Sequence, residues 1–167
     1  MVLSNSTKNH IALHDEIDLL KTYVEIEQLR FDNVFDFILE VDEKINEQEF
    51  VIPPMLIQPY IENAIWHGIM NMNKKQKGKL ILSFTLEEEC LKIIVEDNGI
   101  GRIESQNYKA TTHESLAMNL TEQRLSALQE LSNKAKIKII VTDLYTAQEK
   151  ACGTRVTIYL CDNFLFN

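Results

Sequence analysis

The chain has 167 residues, and its 17 Lys and Arg against 25 Asp and Glu leave a formal charge of −8. Apolar residues make up 45% and charged residues 25%, the proportions of an ordinary globular domain, which excludes a disordered or collagen-like chain. The acidic balance argues against a nucleic-acid-binding face, and no apolar run reaches the roughly 18 residues that span a bilayer.

The N-terminal run MVLSNSTKNH lacks the apolar core of a signal peptide. Asp15 and Glu16 then favour the start of a helix, with Asp15 as the expected cap. Leu13, Ile17, Leu20, Val24 and Phe31 form a narrow, heptad-like seam on it. A seam that narrow on an acidic helix is expected to pack on one partner helix. Phe35, Phe37, Leu39 and Val41 alternate with polar residues and predict a half-buried strand. The polar run EKINEQE leads to Pro53-Pro54, and a helix is expected from Met55 to Gly68. A Lys-rich loop over Asn71–Lys79 follows. KLILSFTL and CLKIIVED then predict an antiparallel hairpin about a Glu87-Glu88-Glu89 turn. Beyond DNGIGR the stretch from Arg102 to Glu114 is polar and unpatterned and reads as a mobile loop. Leu116–Leu131 reads as a helix, and IKIIVTD with GTRVTIYL as a last strand pair. The expected fold class is an α/β two-layer sandwich, with a mixed, largely antiparallel sheet covered by helices on one face. Cys90, Cys152 and Cys161 are odd in number and lack CxxC spacing, so free thiols in a reducing compartment are expected.

Two constellations carry chemistry. In the helix over 55–68, Gln58, Glu62, Asn63 and His67 are polar, and Asn63 and His67 share one face. An amide oxygen and an imidazole beside a Lys-rich loop suit hydrated Mg²⁺ with phosphates, because Mg²⁺ keeps several waters and needs few protein ligands. The same spacing also fits a core helix whose polar residues face water. In Asp97-Asn98-Gly99-Ile100-Gly101, a carboxylate at a strand end can accept from a ligand amine while the glycines let backbone approach. DNG alone is also a common tight turn. Gly153-Thr154 opens the last strand and can bring a hydroxyl near Asp97.

Together, PPMLIQPYIENAIWHGI, DNGIG and GTRVTIYL resemble the ATP-binding domain of LytS-type sensor histidine kinases, a branch of the GHKL superfamily with the Bergerat fold. LHDEIDLLKTYVEIEQLRF resembles the stretch that joins the family's second dimerisation helix to its catalytic domain, so the likeness runs from about Ile11 to Leu160. It implies ATP and Mg²⁺ as cofactors, with Asn63 holding the metal on the phosphates, and with Glu62 beside it and His67, placed towards the phosphates, as catalytic residues. Asp97 matches the acceptor for the adenine amino group, Gly99 and Gly101 shape the pocket, and Thr154 supplies a supporting hydroxyl. Residues 102–116 match the ATP lid, and Arg124 the Arg-Leu pair of the next helix.

The resemblance further implies transfer of the γ-phosphoryl to a His on a dimerisation helix, a homodimer, a response-regulator partner, and a cytoplasmic domain of a membrane sensor. It divides the chain into the end of a dimerisation region (1–32), the ATP-binding domain (33–162) and a tail (163–167). This sequence departs from the pattern at Ser115 and Ala117, where the family often has glycines, and a Cβ there would crowd phosphate or stiffen the lid. His10, His14 and His113 lack the Asn-Pro-His-Phe setting of the phosphoacceptor and read as solvated polar residues. The alternative on the same fold is a non-catalytic nucleotide-sensing or dimerisation scaffold. An ATPase of the chaperone or mismatch-repair kind is weaker, because QPxxENAxxHG matches the kinase branch.

Overall fold

A computed structural model describes residues 10–105, 123 and 136–161. The expected helix over 116–131 with Arg124, most of the lid, Ser115, Ala117, His113 and the tail over 163–167 lie outside them.

Strand β1 (Ile11–Ala12) pairs antiparallel with β3 (Val51–Ile52), and helix α1 (Leu13–Arg30) starts directly after β1. Asp15 is not the cap. Ala12 takes that position in extended backbone, and the first helical N–H groups donate to chain rather than to a side chain, Leu13 to Phe50 O (2.8 Å) and His14 to Glu47 O (3.0 Å). Backbone carbonyls from the loop before β3 thus replace the side-chain oxygen that an N-terminus usually needs.

The seam of α1 does not wait for a partner helix. Leu13, Ile17, Leu20 and Val24 are each no more than 2% exposed and belong to the same apolar cluster as the sheet. Burying each such side chain is worth roughly 1.5–3 kcal/mol, so α1 is an integral part of this core. Glu16 and Glu27 are buried beside the seam, although their residue type alone would put them in water.

The main sheet has five strands in the order β2-β4-β5-β7-β6. Strand β2 (Phe35–Val41) runs parallel to β4 (Gly78–Glu87). Strands β4, β5 (Cys90–Asp97), β7 (Ala151–Cys161) and β6 (Lys136–Tyr145) pair antiparallel in turn. The hairpin turn expected at Glu87–Glu89 is present, with Glu88 at φ 54°. Alternation sorts the faces. Leu80, Leu82 and Phe84, then Leu91, Ile93 and Val95, then Val156, Ile158 and Leu160 are buried on the side that meets the helices.

The helix expected over 55–68 is shorter and less regular. Met55 sits at φ 58°, α2 covers Gln58–Asn63, the chain widens into a π turn over Ala64–Gly68, and a 3₁₀ turn over Ile69–Asn71 closes it. The expected free thiols are also corrected. Cys90 and Cys161 stand directly opposite each other in the β5–β7 register and are joined as a disulfide, while Cys152 is free. Among the described residues, no helix is long and apolar enough to cross a membrane.

Candidate functional site

Strand β5 points Leu91, Ile93 and Val95 into the core, and the next residue of that parity is Asp97. A carboxyl therefore occupies an inward position at the strand's end, only 4% exposed. Its Oδ1 accepts from the backbone N–H of Gly99 at 2.8 Å, and the backbone N–H of Thr154 also donates to the carboxyl. Asp97 and Thr154 are register partners across β5 and β7. The contact between them runs through the Thr154 backbone, whereas the sequence pointed to its hydroxyl. Burial pushes the Asp97 carboxyl up from its ordinary 3.8 to about 7, against those two hydrogen bonds, which hold it down.

Three glycines make this arrangement possible. A Cβ on Gly68 would lie 2.6 Å from Asp97 Oδ1, one on Gly99 would lie 2.3 Å from the Gly68 carbonyl carbon, and one on Gly153 would lie 1.9 Å from Asp97 O. Gly153 also holds φ 136°. Gly68 thus leaves no room for a side chain against the carboxyl, Gly99 packs on the Gly68 backbone, and Gly153 packs on the main chain of Asp97 and Asn98. Ile100 N–H donates to Gly68 O at 3.3 Å and ties the first two segments together. Asn98, between Asp97 and Gly99, is structural: its Oδ1 accepts from Lys79 N–H (2.6 Å) and its Nδ2 donates to Lys77 O (3.2 Å), which fixes the start of β4.

Gly101, at φ 78°, turns the chain into α3 (Arg102–Ser105). The start of the expected mobile loop is therefore a helical turn. Arg102 forks onto Asp143 of β6 with two 2.7 Å hydrogen bonds, which hold Asp143 below the usual carboxylate range.

Asn63 ends α2 and His67 lies in the π turn, both half-buried. Glu62 accepts from Gln58 Nε2 at 2.8 Å and lies close enough to Tyr23 of α1 for its charge to help raise that phenol. The structure thus brings Gly68, Asp97, Gly99, Gly101 and Thr154 into one place. It sets Glu62 towards α1, and it puts Asn63 and His67 on the turn that delivers Gly68. Gly68 was legible only as a helix stop, yet it makes the closest approach to the acidic centre. Its signal was the second glycine-bearing segment that a buried carboxyl needs for backbone to come near.

Among the described residues, no three His, Cys, Asp or Glu side chains stand close enough to hold a metal ion. A divalent cation here would need most of its ligands from water or a bound anion. The buried, backbone-lined acceptor of Asp97 fits a flat ligand that offers an amino group.

No protein-family model matches the chain. The Sensor protein LytS of Staphylococcus epidermidis is 32% identical over 99 residues, which is 59% of this chain and 16% of that protein. The Sensor protein kinase HptS of Staphylococcus aureus is 32% identical over 133 residues, 79% of this chain and 24% of that protein. The chain therefore spans about a quarter, or less, of these relatives. The catalytic domain of histidine kinase ThkA superposes with a TM-score of 0.58 at 14% identity, covering 91% of this chain and 95% of that one. The mycobacterial sensor histidine kinase MprB gives 0.57 at 13%, with 91% and 95% covered. A structure of ThkA in complex with the response regulator TrrA aligns with a TM-score of 0.57 at 13% identity, over 92% of this chain and 41% of that one.

Proposed function

We propose that this chain, a relative of the LytS-type sensor kinases with the fold of a histidine-kinase catalytic domain, binds Mg-ATP around Asp97 and serves γ-phosphoryl transfer to a histidine on a dimerisation helix. The observation that carries the reading is the carboxyl of Asp97, buried at 4% exposure and approached by backbone on three sides. An acceptor that has given up water is worth most to a ligand amine that replaces it, and adenine carries such an amine on a flat ring. Asp97 accepts from that amine, Gly99 and Gly101 leave room for the ring, and Thr154 steadies the carboxyl from β7. Asn63 holds Mg²⁺ on the phosphates, and His67, one turn on, faces them. When bound, Mg²⁺ supplies charge neutralisation on the phosphates.

Phosphoryl transfer asks a protein mainly for alignment and charge neutralisation. The chain's own contribution is to hold base and phosphates on one rigid frame, with α2 and β5 fixed to each other through Gly68 and Ile100. Glu62 is assigned the role of orienting an incoming imidazole or accepting its proton. The acceptor histidine is read as belonging to a segment outside this sequence, in keeping with relatives of which the matched part is about a quarter. His14 is engaged with Glu47 and Asp18 at the start of α1, on the side of the chain where β1 meets β3. Residues 1–32 act as the end of the dimerisation region leading into the domain over 33–162. The whole protein is read as a homodimeric membrane sensor with this part in the cytoplasm, passing phosphate to a response regulator. Calorimetric titration of the chain with Mg-ADP tests the core of this: one site per chain is expected, and absence of binding refutes the reading.

A further inference from the structure

We propose that Trp66 is a positioning residue through which α1 keeps the nucleotide-binding turn in shape. The inference rests on the nucleotide reading above and extends it to the control of that site.

The π turn over Ala64–Gly68 is bonded one residue wider than an α-helix, with Ile69 N–H donating to the carbonyls of Ala64 and Ile65. Such a turn holds one residue more than the helix around it and persists only where its surroundings hold it. Its inward side carries the buried Ile65 and Gly68, the glycine that must lie against Asp97. Its outward side carries Trp66. If the turn relaxed to α geometry, every residue after it would advance by one position. A residue with a Cβ would then face Asp97 Oδ1, where Gly68 already leaves only 2.6 Å for such an atom.

What holds the turn comes largely from α1 and its end. The Phe31 ring meets Trp66 edge-on, with centroids 5.0 Å apart at 82°, and the Arg30 guanidinium lies 5.7 Å from the indole centroid. The indole, which can only donate, gives its N–H to the phenol oxygen of Tyr23. Arg30 is itself held at 3.1 Å by Glu27, a carboxylate only 3% exposed on the same helix. From the other side, Asn71 Nδ2 donates to the carbonyls of Trp66 (3.2 Å) and His67 (3.1 Å). Three residues of the α1 region thus grip the most exposed side chain of the turn whose inward face forms the site. Any shift of α1 is passed to the turn, and by linkage nucleotide binding resists that shift.

The test measures Mg-ADP affinity by calorimetry, together with the thermal midpoint of the unliganded protein. Arg30→Gln removes the cation over the indole together with the ion pair to Glu27, and should weaken binding about threefold. Trp66→Leu removes the ring and should weaken it about tenfold, and Trp66→Phe should recover most of the loss. Trp66 is the only tryptophan, so saturating the parent with Mg-ADP should also change the protein's emission. Lower thermal midpoints with parental affinity in all three variants would reduce Trp66 to a packing residue and overturn the proposal. Should Trp66→Leu fail to fold, Arg30→Gln decides, since its side chain is half exposed. A parent that binds no Mg-ADP overturns the nucleotide reading itself, whereas a parent that binds beside unaffected variants overturns the positioning role alone.

Discussion

Asp97 gives a test in which affinity and stability respond to pH in opposite directions. Its carboxyl titrates near pH 7 in the fold because burial disfavours the charge, against an ordinary 3.8. If the ionised form accepts from the adenine amine, about nine-tenths of the sites are ready at pH 8 and about one-tenth at pH 6. The phosphates titrate over the same range, so the useful quantity is the ratio of Kd for Asp97→Asn to Kd for the parent, in which the ligand's own protons cancel. At pH 8 the amide presents a donor to a donor, which costs on the order of 1–3 kcal/mol, about a 5- to 150-fold weaker Kd. At pH 6 the ratio should shrink about tenfold, as the parent loses its ionised acceptor. Stability runs the other way. Between about pH 4 and 7 the carboxyl is protonated in the fold but ionised in the unfolded chain, so the unfolded chain binds fewer protons and stability falls as pH rises. Above pH 7 that loss is complete, and at about 1.4 kcal/mol per pKa unit the span from 3.8 to about 7 bounds it near 4 kcal/mol. Asp97→Asn should escape it, being more stable than the parent at pH 8 with the gap closing towards pH 4. Calorimetric titrations and urea unfolding at pH 4, 6 and 8 supply both readouts. A Kd ratio that stays constant from pH 6 to 8 would refute the acceptor role.

Asn63→Ala should abolish the part of the thermal shift with ATP that depends on Mg²⁺, leaving the unliganded midpoint near the parent's; a parent whose shift is the same in chelator would remove the metal from Asn63. Gly153→Ala should destabilise the fold by about 2–4 kcal/mol, because its Cβ would meet the Asp97 carbonyl at 1.9 Å from a φ of 136°. Urea unfolding of that variant with parental stability would contradict the packing described here. The chain alone should not acquire acid-labile phosphate from ATP, while a separately added acceptor helix of a LytS-type kinase should be labelled slowly, since tethering no longer supplies alignment. Acid-labile label on the chain alone would show that the acceptor lies within it.

The sequence was most informative where local pattern and chemistry coincide. Alternation through CLKIIVED gave the strand, and the same parity placed Asp97 inward, so its burial was available from the letters once the strand was accepted. QPYIENAIWHG gave a helix carrying Asn63 and His67, but nothing local marks the widening at Ala64. A π turn depends on support from outside the helix, and here that support comes from Tyr23, Arg30 and Phe31, far upstream in the chain. The seam of α1 correctly marked a buried face without saying what buries it, because a 4-3-4 spacing describes one surface and not its partner. Asp15 had the right residue type for a cap, yet the loop carbonyls of Glu47 and Phe50 reached the helix end first. The pairing of Cys90 with Cys161, 71 residues apart, follows from strand register, which no spacing rule supplies.

Gly68 shows why a site can be hidden in residues that already have an explanation. A glycine after a helical stretch is accounted for as a stop, and one in DNG as a turn, so neither calls for a second reason. The structure supplies one: Gly68 and Gly99 pack backbone to backbone, Gly68 lies against the Asp97 carboxyl, and Gly153 packs on the Asp97 main chain. A buried acid near pH 7 costs stability, and three glycines add conformational entropy to the unfolded chain. Packing does not require this combination, since an apolar residue at position 97 would continue Leu91, Ile93 and Val95 into the same core. Local rules broken together at one strand end, against the grain of the surrounding sheet, are the physical ground for proposing a ligand at Asp97.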